Sequence, residues 1–113
     1  MKRILAPILL LTFLFPALAF GETMDDLVER DGIHYKQFSD VPFMGKVTGK
    51  VQGAFKGGLK GGPWVRYWDN GQLLSKGTYK VGKRDGFFES YNIDGTIWNG
   101  ISGIFKDDVK ISD

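Results

Sequence analysis

The segment Gly77-Thr78-Tyr79-Lys80-Val81-Gly82-Lys83-Arg84 comes within one residue of a phosphate-binding loop, whose glycines cradle phosphate oxygens and whose last residue, Ser or Thr, holds Mg²⁺. Arg84 stands where that hydroxyl is needed, and the residues that follow read as a strand rather than a helix, so the motif is set aside. His34 is the only histidine and the chain has no cysteine, so no zinc site can be assembled at normal ligand spacings. A lone imidazole beside Tyr35 reads as a strand or cap residue. Asp25-Asp26 and Asp107-Asp108 are adjacent pairs that lack the spaced oxygens of a Ca²⁺ loop. Asp85 and Glu89 are the residue types a glycosidase pairs, but nothing around them implies a pocket, and ordinary surface charge accounts for them. With no nucleophile, acid, base or metal group converging, the expectation is a non-enzymatic protein without a cofactor.

The remaining chemistry is cationic groups interleaved with aromatic ones between Lys56 and Phe87. Lysines on the solvent face of a thin sheet keep it soluble and guard its edges, which explains about half of them. The others suit a protein-binding face, with aromatics and arginine as anchors and charge steering an acidic partner. Trp64, Arg66, Trp68, Lys80 and Arg84 are the expected contacts. Trp68 stands out because the residue 24 positions later, Asn92, is polar, so an aromatic is not required there by the scaffold. The alternative is an anionic membrane surface, with lysines on the headgroups and Trp64 or Trp68 at the interface. Nucleic acid is the weakest candidate for an exported chain and is not expected as a partner.

These residues are positioned by a 24-residue period. Gly53, Phe55, Lys56, Gly58, Gly62, Trp64, Tyr67 and Gly71 recur as Gly77, Tyr79, Lys80, Gly82, Gly86, Phe88, Tyr91 and Gly95, and a truncated third copy opens at Gly103-Ile104-Phe105-Lys106. The texture from Gly32 onward is β, with short runs of Val, Phe, Tyr, Trp and Thr cut by glycine. Each unit reads as two strands and two bends. Asn70-Gly71 and Asp94-Gly95 are expected to make type I′ turns, and Gly58 to Gly62 and Gly82 to Gly86 the other bends. Gly77, Tyr79 and Val81 alternate with Lys76, Thr78 and Lys80. Trp64 and Tyr67 are three apart, so either a bulge realigns them or the sheet is apolar on both faces. A single hairpin buries too little to offset the entropy of ordering it, so Phe55, Trp64 and Tyr67 are expected to pack on Tyr79, Phe88 and Tyr91 of the next unit. Residues 32–51 and 101–111 would cap the two ends, and Met24–Arg30 is expected to form a short helical turn.

Residues 1–21 read as a helical signal peptide: Lys2 and Arg3 lead, Ile4–Phe15 supply the apolar stretch, and cleavage after Ala19 or Gly21 fits equally. About 17 apolar residues broken by Pro7, Thr12 and Pro16 fall short of the roughly 20 of a membrane span. Without a lipoprotein cysteine, a periplasmic or secreted location is expected. Lys2 and Arg3 are two of the 15 basic residues, so the mature chain sets 13 against 13 acidic ones. Those charges are segregated. Residues 22–44, an acidic N-terminal segment and cap, hold two basic and six acidic groups, whereas 45–106 hold ten basic and four acidic. A basic sheet flanked by acidic ends favours an acidic partner.

The pattern Gly-x-Phe/Tyr-Lys-x-Gly-x3-Gly-x-Trp/Phe-x2-Tyr-x3-Gly resembles the MORN repeat, in the bacterial form of the YwqK antitoxin-like family. The resemblance covers residues 45–106 well and the rest of the mature chain loosely. It implies an all-β fold over residues 45–113, an elongated antiparallel sheet of stacked hairpins serving as a binding surface. A signal peptide shifts the antitoxin implication toward an immunity-like protein that guards the envelope against a secreted toxin.

Overall fold

β-Branched and aromatic runs separated by turn residues fold, among the described residues, into ten strands: β1 (Glu22–Thr23), β2 (Leu27–Arg30), β3 (Ile33–Lys36), β4 (Gly45–Thr48), β5 (Val51–Lys56), β6 (Leu59–Tyr67), β7 (Leu73–Lys80), β8 (Lys83–Ser90), β9 (Gly103–Lys106) and β10 (Val109–Ser112). This computed structural model describes residues 21–113, so the expected signal peptide, apart from Gly21, lies outside the described residues. Eight strands form one sheet in the order β1-β4-β5-β6-β7-β8-β9-β10, and β2 and β3 pair as a separate hairpin. From β4 to β10 each strand lies antiparallel to its neighbour in sequence, whereas β1 joins the edge parallel to β4, with Glu22 opposite Val47. The short helical turn expected over Met24–Arg30 is a 3-10 turn confined to Met24–Asp26. Asp26 turns back to accept from the Thr23 amide at 2.8 Å, and Leu27–Arg30 then pairs with Ile33–Lys36 as strand, which ends the helical run.

Two kinds of bend alternate along the meander. The two-residue bends are Asp31-Gly32, Gly57-Gly58, Val81-Gly82 and Asp107-Asp108, and all eight residues have positive φ, as a type I′ turn requires. Type I′ geometry therefore falls at these positions and not at Asn70-Gly71 or Asp94-Gly95. In those, only the glycine has positive φ. The Gly71 amide donates to the Trp68 carbonyl at 2.9 Å and the Trp68 amide to the Gln72 carbonyl at 2.8 Å, giving a three-residue loop. Asn92, Gly95 and Thr96 repeat that pair of bonds. The Asn70 side chain explains the extra residue, because its Oδ1 accepts from the Gln72 amide at 2.9 Å and holds the loop open by one position. Gly62 and Gly86, expected in bends, lie inside β6 and β8.

Strand alternation places a row of rings on one side of the sheet. Phe55, Trp64, Tyr79, Phe88 and Phe105 stack edge to face, with centroid separations of 5.0, 6.2, 6.2 and 5.7 Å between successive rings. Phe43 continues the row beyond Phe55 at 5.7 Å, and Val47, Met24 and Leu27 pack around that end. Close approach of the strands depends on two missing side chains: a Cβ at Gly53 would overlap the Trp64 ring, and one at Gly77 the Phe88 ring. Gly77 lies opposite both Trp64 and Phe88 in the ladder, and the Phe88 ring fills the space it leaves, as the Trp64 ring does at Gly53.

Tyr67 and Tyr91 do not belong to this row, contrary to the expectation that they pack with Trp64 and Phe88. Alternation along β6 turns Tyr67 to the other face from Trp64, and the register shift beside it takes up its extra residue on β7, between Leu73 and Ser75, so it does not turn Tyr67 back. Tyr91 donates to Glu89 Oε1 at 2.7 Å.

Candidate functional site

Three side chains, each from a strand that begins after a two-residue bend, sit against the row. Lys60 Nζ lies 4.9 Å from the centroids of both Trp64 and Tyr79. The Arg84 guanidinium lies 5.6 Å from Phe88 and 4.4 Å from Phe105. His34 occupies the corresponding place at the N-terminal end, with its ring 4.7 Å from that of Phe55. Lys60 and Arg84 share a backbone arrangement as well: the Gly82 amide donates to the Lys60 carbonyl at 2.8 Å and the Asp108 amide to the Arg84 carbonyl at 3.1 Å. At His34 the bond runs the other way, the His34 amide donating to the Gly58 carbonyl at 2.9 Å.

The stations differ in charge. Arg84 Nε meets Asp108 Oδ1 at 3.0 Å, and the Arg84 amide donates to the same oxygen at 2.8 Å. Burial acts to raise the Asp108 carboxyl, but the bonds from the Arg84 amide and guanidinium outweigh it and hold the group below the ordinary carboxylate value. At Lys60 the corresponding bend residue is Gly82, and among the described residues Lys60 has no ion-pair partner. Burial, reinforced by Arg66, holds its ammonium below the ordinary lysine value.

Between these stations the sheet carries a groove of about 280 Å³ lined by Arg66, Trp68, Ser75, Tyr79, Arg84, Phe88 and Trp98, among others. Arg66 lies opposite Ser75, is exposed, and makes no ion pair among the described residues. The Trp68 indole is held at the rim by its Nε1–H, which donates to the Tyr91 carbonyl at 3.2 Å. Burial raises the Tyr79 phenol above its ordinary value, with Arg84 and Arg66 both acting in the opposite sense from beside it.

The five residues expected to form one contact surface separate into three groups. Arg66, Trp68 and Arg84 come together in this groove. Trp64 is on the same side but only 3% exposed, so it is a core ring and not a contact. Lys80 projects from the opposite face, beside Lys83, Asp85 and Lys106, as the alternation of β7 with Tyr79 requires. Sequence reasoning missed Trp98, Ser75 and the Arg84–Asp108 pair. One signal was available for the pair, because Arg84 and Asp108 are 24 positions apart. The lone histidine is half-buried, its Nδ1 3.3 Å from the Gly58 carbonyl. Among the described residues no three His, Asp or Glu side chains gather in a way that would hold a metal ion.

Fold and groove together define an open β-meander with one aromatic and cationic face. No protein-family model, no curated protein and no solved structure matches the chain.

Proposed function

We propose that this chain is an exported, non-catalytic binding module of MORN-repeat type, which presents its aromatic and cationic face to a protein partner in an antitoxin- or immunity-like role. The observation that carries the reading is the groove, where exposed Arg66, half-buried Trp68 and exposed Trp98 surround a rigid ring floor. Tryptophan and arginine over a desolvated floor are the residue types that dominate protein interfaces, and a row of interlocked rings offers them without ordering cost. Residues 24 apart in equivalent bends, such as Trp68 with Asn92 and Gly71 with Gly95, support the repeat reading.

The test is capture from envelope extract by the immobilised full chain. Binding that survives raised salt and is lost in Trp68→Ala supports a protein partner. Capture unchanged by Trp68→Ala contradicts the assignment of this face.

A second reading is peripheral attachment to an anionic membrane, favoured by Ile93, Ile97 and Trp98, which stand 46–56% exposed in the long connection between β8 and β9. Co-sedimentation with anionic vesicles that disappears as salt rises would select it over the first.

A further inference from the structure

We infer that the groove on Tyr79 is a carboxylate-binding pocket, and that the anchor it takes from the partner is an acidic side chain, Asp or Glu, seated between Arg66 and Arg84. The inference rests on the protein-binding reading of this face and adds the chemistry of the contact.

Three cations surround Tyr79. Lys60 lies over its ring at 4.9 Å, and Arg66 and Arg84 line the same groove. Among the described residues Asp108 is the one acidic residue in an ion pair with any of them, and it engages only the Nε and Nη2 side of Arg84, with Nη2 3.4 Å from the Asp108 carbonyl. Arg66 and Lys60 have no ion-pair partner among the described residues, and Glu29 and Asp108 act on Lys60 only from farther off. Low-dielectric walls of tryptophan and phenylalanine concentrate that excess positive charge in the groove. Burial already disfavours the charged form of Lys60, and an incoming anion beside it would offset that cost.

Unused hydrogen-bonding groups give the second, independent observation. Ser75 is 4% exposed, lines the groove, and its hydroxyl has no hydrogen-bond partner among the described residues. Ser90, directly opposite on β8 and also 4% exposed, uses its backbone amide and carbonyl on Ser102, while its hydroxyl likewise has no partner among the described residues. Buried hydroxyls are normally satisfied, so a pair of them on the floor of a cationic groove marks a place where an acceptor is expected from outside. The occupant must be anionic to match the guanidiniums and small to enter about 280 Å³, and it must carry an acceptor that reaches the floor. A single carboxylate side chain meets all three conditions.

The experiment follows tryptophan fluorescence of the full chain during titration with an amidated, acetylated triglutamate peptide, since Trp68 and Trp98 both line the groove. Wild type and Lys80→Gln, which removes an equal charge from the opposite face, are expected to give the same saturable change. Arg66→Gln is expected to weaken it about tenfold or more, the effect of losing one charge-assisted hydrogen bond. No saturable change in wild type, or equal weakening in both variants, overturns the inference. Inorganic phosphate that binds where triglutamate does not overturns the carboxylate assignment. If extract capture still depends on Trp68 but is unaffected by Arg66→Gln, the acidic anchor is wrong while the protein-binding face stands.

Discussion

Lys60 and Arg84 occupy the same position in successive turns of the meander, each over a pair of rings, yet among the described residues Lys60 has no ion-pair partner and Arg84 is paired with Asp108. The scaffold requires a long side chain over the rings at both places, because its stem covers aromatic surface that would otherwise meet water. Counter-charge is a separate matter, decided by the second residue of the two-residue bend beneath it. Where that residue is Asp108 one edge of the cation is paired within the fold; where it is Gly82 no side chain at that position can pair with it. The same local arrangement thus holds one cation tied along one edge to the fold and one without an ion-pair partner among the described residues.

Removing a ring beneath the Lys60 station breaks the comparison most severely. Trp64→Ala is expected to cost about 3–5 kcal/mol, because a buried ring that contacts Phe55 and Tyr79 leaves a cavity the flat sheet cannot close. Urea denaturation measures this directly.

Asp108→Asn is expected to cost about 1 kcal/mol, a figure reduced for solvent screening because the carboxylate is nearly half exposed. It also removes an acid-dependent component of stability. The folded-state carboxyl lies below its ordinary 3.8, so its contribution is complete above that value and is lost as pH falls through the lower folded one. Denaturation midpoints between pH 6 and roughly pH 2 should fall less steeply in the variant than in wild type.

Placing the missing carboxylate sharpens the same contrast. Gly82→Asp reproduces the Asp108 arrangement beside Lys60, at a backbone φ of 81° where Asp108 itself has 71°. Stability is expected to fall by about 1–2 kcal/mol, because the new ion pair offsets only part of the left-handed strain and the added Cβ forces the Leu59 side chain, 3.0 Å away, to shift. Triglutamate binding should weaken, read by the same fluorescence titration. The smallest effect falls at the neighbouring residue. Val81 is β-branched and sits at φ 49°, so Val81→Gly is expected to stabilise by about 0.5 kcal/mol, seen as a small rise in Tm.

The strands and the ring row were legible in the sequence because glycine and aromatic residues recur at one interval, and the interval alone places Trp64, Tyr79 and Phe88 side by side. Turn type was not. Asn70-Gly71 has the composition of a type I′ turn, but the Asn70 side chain bonds the backbone and lengthens the loop, whereas Val81-Gly82 and Asp107-Asp108 adopt type I′ geometry with less favourable residues because strand register demands it. Register also explains why the five expected contacts do not form one surface: Lys80 follows Tyr79 directly, and one step along a strand reverses the face. Trp98 was invisible because it lies in the long connection between β8 and β9, outside the 24-residue period, and reaches the groove only through the fold.

The division between the two faces is tested most directly by backbone amide NMR during triglutamate titration of the full chain. Shift changes centred on Arg66, Trp68, Ser75, Tyr79 and Arg84 are the predicted result. Changes centred on Lys46, Lys76 and Lys80, or spread evenly over both faces, would contradict it.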